Sequence, residues 1–240
     1  MVSHVNSSTA PSVTAVAERV KKECGIDTNI YFRSLHDGSM SLDGFRRSQE
    51  QFFFCVAFFS RPMMALVGRK PNPSRRLEIL RNVVEEHGQF EESAFHQNTF
   101  ESFLRTIGSD VQELEDQRRQ WPEVRAFNSS LIGTCLLDEL EVGIACMGII
   151  EYCFVSISTR IAEEVVQRDW LREQDLVHYR IHADIDIRHA QDFFELLEDS
   201  WVMGKRRVWI EQGLRLGAHI FDRLYSSLHA SALNPAPTVD

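Results

Sequence analysis

Apolar and polar positions alternate at helical spacing along most of the chain, and the breaks in that pattern fall at glycines and prolines. A first amphipathic segment runs from Val13 to Cys24 and stops at Gly25. Ser41-Leu42-Asp43-Gly44 opens a long helical stretch reaching Gly68, with a kink expected at Pro62. The run Arg69–Ser74 (RKPNPS) reads as a linker, and a single helix is expected from Arg75 to Ile107, ended by Gly108. Trp121-Pro122 starts the next stretch, since proline suits a helix's first turn. Helical patterning continues from there to Arg168, as two helices with a break near Leu140–Gly143. Asp169–Ser200 and Lys205–Ala230 complete the set. Residues 123 to 234 contain no proline, which a loop-rich β fold would rarely manage. The fold class expected is therefore all-α, a single helical bundle of about seven helices spanning residues 12–231. Residues 1–11 and 232–240 are expected to be disordered tails, and no internal repeat is visible.

Composition narrows the function classes. With 240 residues, 43% hydrophobic and 25% charged, the chain is an ordinary globular protein. A net charge of −9 argues against nucleic acid as a partner, because nothing offsets phosphate repulsion. The start shows no basic-then-apolar secretory pattern. The longest apolar runs, Phe52–Phe59 and Val142–Ile150, are far shorter than the roughly 20 residues a membrane span needs, so no membrane partner is expected. Five cysteines, an odd number without a CxxC pair, suit reduced thiols and a cytoplasmic location.

The most informative run is residues 176–194, LVHYRIHADIDIRHAQDFF. His182, Asp186 and His189 are spaced +4 and +3, which on an α-helix places the last two about +40° and −20° from the first. Two imidazoles and a carboxylate on one inward stripe are what a first-row divalent metal takes. Asp184 projects to the opposite side, toward solvent. His178 lies on the same stripe one turn earlier, in a structural or supporting role. Partners must come from other helices. Glu151 stands alone in an otherwise apolar helix (CMGIIEYCFVSIS), where burial without a partner would cost about 2–7 kcal/mol or more. His96 follows an acid-rich stretch holding Glu85, Glu86, Glu91 and Glu92, with Glu101 beyond it. On one straight helix Glu86 would lie about 80° off the line of His96, Glu85 about 20° and Glu92 about 40°.

The combination EEHG (Glu85–Gly88), then His96, then IEY (Ile150–Tyr152), then HxxxDxxH (His182–His189) resembles the haem-oxygenase-like diiron oxidases. These share a helical fold with the TenA thiaminases and the pyrroloquinoline quinone synthases. The likeness spans roughly residues 45 to 200. It implies Glu86, His96, Glu151, His182, Asp186 and His189 as metal ligands, with Glu85 and Glu92 as the alternatives to Glu86. Two Fe(II) ions, replaceable by Mn(II), with O2 as cosubstrate, are the implied cofactors. An external electron donor and a homodimer are the implied partners, and the substrate is a small molecule. The implied activity is O2-dependent oxidation of a free amino acid or close derivative in natural-product biosynthesis: desaturation, oxidative C–C cleavage or N-oxygenation. Fatty-acid decarboxylation is the alternative within the family, with Phe52–Phe59 as a channel lining. A metal-free thiaminase-like or quinone-synthase-like enzyme using Cys135 or Cys153 as nucleophile, or histidines as general bases, is the alternative outside it. No substrate-binding residue stands out. Arg160 and Arg188 carry the right charge for a carboxylate, but neither points inward.

Overall fold

A computed structural model describes residues 11–113 and 119–233. Ten α-helices and several short 3₁₀ turns form the described part, which contains no β-strand. They are α1 (Val13–Cys24), α2 (Ile30–His36), α3 (Leu42–Val56), α4 (Ser60–Arg69), α5 (Leu77–Glu86), α6 (His96–Thr106), α7 (Pro122–Leu137), α8 (Leu140–Gln167), α9 (Val177–Val202) and α10 (Arg207–Leu233). The all-α expectation holds. The count exceeds seven because two expected long helices are each divided, and because α2 went unanticipated.

Local chemistry explains most of the boundaries. Ser12 and Ser41 cap α1 and α3, their hydroxyls accepting from the backbone N–H groups of Ala15 and Gly44. Gly25 closes α1 at φ 75°, its N–H donating to the Lys21 carbonyl. The stretch from Ser41 to Gly68 breaks over Ala57–Phe59, just before the proline. Pro62 has no N–H to donate toward residue 58, and its ring crowds that carbonyl. The stretch Arg75–Ile107 also breaks, over residues 87–95, and this interruption shapes the site. α9 begins at Val177 rather than Asp169, after a turn in which Asp169 takes φ 53°. α10 runs on to Leu233 with Ala232 buried. Residues 1–10 and 234–240, which hold most of the expected tails, lie outside the described residues.

α8 is the central helix, packed against α9 on one side and α10 on the other. A side chain at Gly217 of α10 would meet the Cys146 carbonyl of α8 at 2.6 Å, so glycine is what lets these two helices approach. By length and composition alone, α8 and the α3–α4 stretch could cross a membrane, but 72% of the apolar window of α8 is buried within the bundle itself. A buried polar chain fixes α9 against α2 and α3. Tyr179 donates to Gln49 Oε1, Gln49 Nε2 donates to the Tyr31 hydroxyl at 2.7 Å, and that hydroxyl pairs with Ser48 at 2.7 Å. The helix carrying the candidate ligands is thereby held in rotation as well as in position.

Candidate metal centre

Four helices deliver side chains to one buried place. α5 ends on Glu86, α6 begins on His96, α8 supplies Glu151 and α9 supplies Asp186 and His189. All five residues are buried, Asp186 and His189 completely. Glu86 Oε1 lies 2.9 Å from His96 Nδ1. His189 Nδ1 stands 3.6 Å from Glu151 Oε1 and 3.9 Å from Asp186 Oδ1. Glu86, Glu151 and His189 each offer a ligand atom within 4.8 Å of the others. His182 lies on α9, but its side chain falls outside the described residues, as does that of Asp184.

The break between α5 and α6 makes the Glu86–His96 pair. Gly88, Gln89 and Phe90 all take positive φ, at 54°, 53° and 74°. A Cβ on Gly88 would lie 2.5 Å from the Ala94 carbonyl carbon, so only glycine fits where the turn folds back on itself. An isolated bridge between His87 and Phe95 closes the loop. The angle of about 80° expected between Glu86 and His96 assumed one straight helix, and that assumption fails. Glu92 sits in the loop, exposed, and does not enter the centre. His87 is half-buried, bonded to its own helix through the Val83 carbonyl at 2.7 Å and packed on Phe95.

Glu85 has a different place from the one its helical angle suggested. It lies behind His189 and accepts from His189 Nε2 at 2.7 Å and from Arg188. A carboxylate on Nε2 leaves Nδ1 as the imidazole atom facing Glu151 and Asp186. Arg188 is thereby engaged at the rim, and Arg160 is bonded to the Asp27 carbonyl and leans over Phe32. His178 is buried, its Nδ1 3.0 Å from the Thr99 hydroxyl and its ring against Phe100.

The electrostatics point to a cation. Burial, and then the neighbouring Asp186 and Glu86 charges, raise the Glu151 carboxyl above its ordinary value, with His189 opposing. Burial lowers His189, but the carboxylates of Glu151, Glu86 and Glu85 outweigh it and carry the imidazole up to about 10. His96 is raised as well, with burial opposed by Glu86. Glu151 Oε1 and His189 Nδ1 are buried without a hydrogen-bond partner among the described residues. At 3.6 Å they are too far apart to satisfy each other. A metal ion between oxygen and nitrogen donors would satisfy both atoms, so the residues present fit one. The donor set, carboxylate and imidazole without thiolate, is of the kind iron or manganese takes. Because a ligating imidazole must be neutral, a cation bound here would displace the proton from His189, and its affinity would rise with pH.

The profile of a family described as iron-containing redox enzymes matches residues 46–214, well over half of the chain. The chain belongs to this family. A comparison with curated proteins gives no match. Solved structures with the same fold include a TenA homologue from Pseudomonas syringae pv. tomato, with TM-score 0.69 and 16% identity over 91% of each chain. A domain of unknown function with a haem-oxygenase-like fold from Shewanella denitrificans aligns with TM-score 0.71 and 18% identity, over 95% of this chain and 97% of that one. A protein from Silicibacter sp. TM1040, titled a TenA family transcription regulator, aligns with TM-score 0.68 and 16% identity, over 93% and 95%. At these identities the likeness is one of fold, and this member of the iron-containing redox enzyme family has the haem-oxygenase-like bundle expected from its motifs.

Proposed function

We propose that this protein is an O2-dependent non-haem diiron oxidase or oxygenase that acts on a free amino acid or a close derivative in natural-product biosynthesis. The carrying observation is the meeting of Glu86, Glu151 and His189 from three separate helices within 4.8 Å of one another, all buried. His96 and Asp186 border that group, and His182 is the sixth ligand of the proposal. When bound, a pair of ferrous ions supplies the electrons that reduce O2 and the oxidising power directed at substrate. The chain's own contribution is to hold the donors, to keep water out with the surrounding aromatic side chains, and to take His189's second nitrogen on Glu85. An external electron donor, a cytoplasmic location and a homodimer belong to the same proposal.

Two features weigh against a metal-free TenA-like reaction. Cys135 and Cys153 are both buried, and burial pushes each thiol up to about 12, so neither is a thiolate near neutral pH. Neither thiol is among the residues around the cavity beside the carboxylates. The regulator named in one neighbour's title is not carried over, since a net charge of −9 disfavours DNA.

Anaerobic loading with Fe(II), followed by iron analysis per chain, tests the proposal. Two irons per chain are expected, and mixing the loaded protein with O2 in a stopped flow should give a transient absorbance, strengthened by substrate. Iron near zero after loading would reject the metal reading. Stable, O2-inert iron would leave a binding protein instead of an oxidase.

A further inference from the structure

A narrow cavity adjoins the candidate metal centre. Its walls include Phe52, Cys55 and Val56 from α3, Phe127 from α7, Phe154 from α8 and Phe221 from α10. Among the described residues three polar side chains meet it, Glu86, Glu151 and His178, and no lysine or arginine does. Phe52 packs on Phe154, and Phe221 touches both Phe127 and Phe154, so the aromatic rings form a connected wall. Burial raises the Cys55 thiol, which keeps it neutral and leaves it an apolar wall element. Val56 and Phe59 are half-buried at the rim.

We infer that this cavity is the specificity pocket for a short, uncharged, aliphatic part of the substrate, whose polar head faces the carboxylates and histidines. The inference rests on the oxidase reading above and adds the substrate class. Size sets the length. The cavity encloses about 40 Å³, room for roughly three water-sized groups and hence about three or four carbon atoms. Chemistry sets the polarity. A charge at the tip of the entering chain would lie on the aromatic side, beyond the carboxylates that the head group occupies, and would lose its hydration with no opposite charge there to replace it. A long acyl chain exceeds the space, so the cavity favours a small aliphatic amino acid over a fatty acid. Cys55 is the smallest side chain of the wall just named, so enlarging or trimming it changes the space the wall leaves.

Calorimetric titration of the iron-loaded protein with alanine, 2-aminobutyrate, norvaline, norleucine, 2-aminooctanoate, lysine and dodecanoate tests this. Affinity should climb about fourfold per methylene, the worth of one buried CH2, up to three or four side-chain carbons, and then fall. Lysine should bind at least tenfold more weakly than norleucine. Cys55→Leu should move the optimum to a shorter chain and Cys55→Ala to a longer one, a reciprocal shift that mere destabilisation does not produce. Lysine or dodecanoate binding as tightly as norvaline overturns the inference. So does an optimum that both Cys55 variants leave in place, or no binding by any of the aliphatic amino acids. Iron per chain, measured on the same samples, reports separately on the oxidase reading: full iron with the wrong chain-length profile rejects the pocket alone.

Discussion

The two halves of the centre are built by opposite means. Glu151, Asp186 and His189 sit on unbroken helices, where position along the chain dictates direction in space. Glu86 and His96 flank a break in which three successive residues take positive φ, and their encounter depends on how the chain leaves one helix and enters the next. The first half is a product of periodicity. The second is a product of its interruption, and helical angles computed across it mislead. The regular half also carries Glu151 Oε1 and His189 Nδ1, buried 3.6 Å apart without a hydrogen bond among the described residues, whereas the irregular half supplies a pair whose members already lie within contact of each other.

The largest effect should come from the regular half. Asp186→Ala removes a completely buried carboxylate next to His189 and leaves α9 its other packing contacts. We expect at least one of two irons per chain to be lost and turnover to vanish, with helical circular dichroism unchanged. Iron analysis and dichroism on the same sample check this. Full occupancy with normal turnover would remove Asp186 from the ligand set.

Gly88→Ala should come next, and it asks whether the interruption matters as much as the ligands around it. The added Cβ would meet the Ala94 backbone at 2.5 Å in a backbone at φ 54°, a strain on the order of 1–3 kcal/mol. The loop relieves it by moving, and Glu86 and His96, which flank the loop, are expected to shift with it. Lowered iron affinity is expected together with a lower Tm of the metal-free protein, while Asp186→Ala affects chiefly iron. If Gly88→Ala binds iron normally, the fold-back at this position is dispensable to the centre.

How much of this was legible beforehand follows the same division. The spacing of Asp186 and His189 pointed inward, as did the isolation of Glu151 in an apolar helix, and each lies buried in the bundle. Pro62 marked a disruption, although the chain breaks one turn earlier than the proline because the lost hydrogen bond and the ring clash both fall there. Helical angles placed Glu85 and Glu92 nearer the line of His96 than Glu86, and both inferences fail for the same reason. Nothing in residues 87–95 except Gly88 announces three positive φ values, and Gln89 and Phe90 rarely adopt them. The cavity was invisible for a different reason: its walls come from α3, α7, α8 and α10, far apart in the chain, and no local pattern records their convergence.

The smallest effects lie in Glu85 and Glu92, two of the four glutamates of the acid-rich segment, which a sequence cannot rank against Glu86 and the structure separates. Glu86 faces His96 within the centre. Glu85 stands behind His189, joined to Nε2 at 2.7 Å and to Arg188 at the rim. Glu92 is exposed, and what it gives the fold is its backbone carbonyl, which accepts from Asn98 Nδ2 at 2.6 Å. Glu85→Ala should therefore weaken iron binding about 10- to 100-fold, the range for removing a group that orients a ligating histidine. Glu85→Gln should recover part of the loss, because its amide oxygen still accepts the bond. Glu92→Ala should change neither iron stoichiometry nor affinity, since the carbonyl survives the substitution. Anaerobic Fe(II) titrations of the three variants make the comparison. A Glu92→Ala loss as large as that of Glu85→Ala would mean that the loop closes onto the metal and that Glu92 ligates after all.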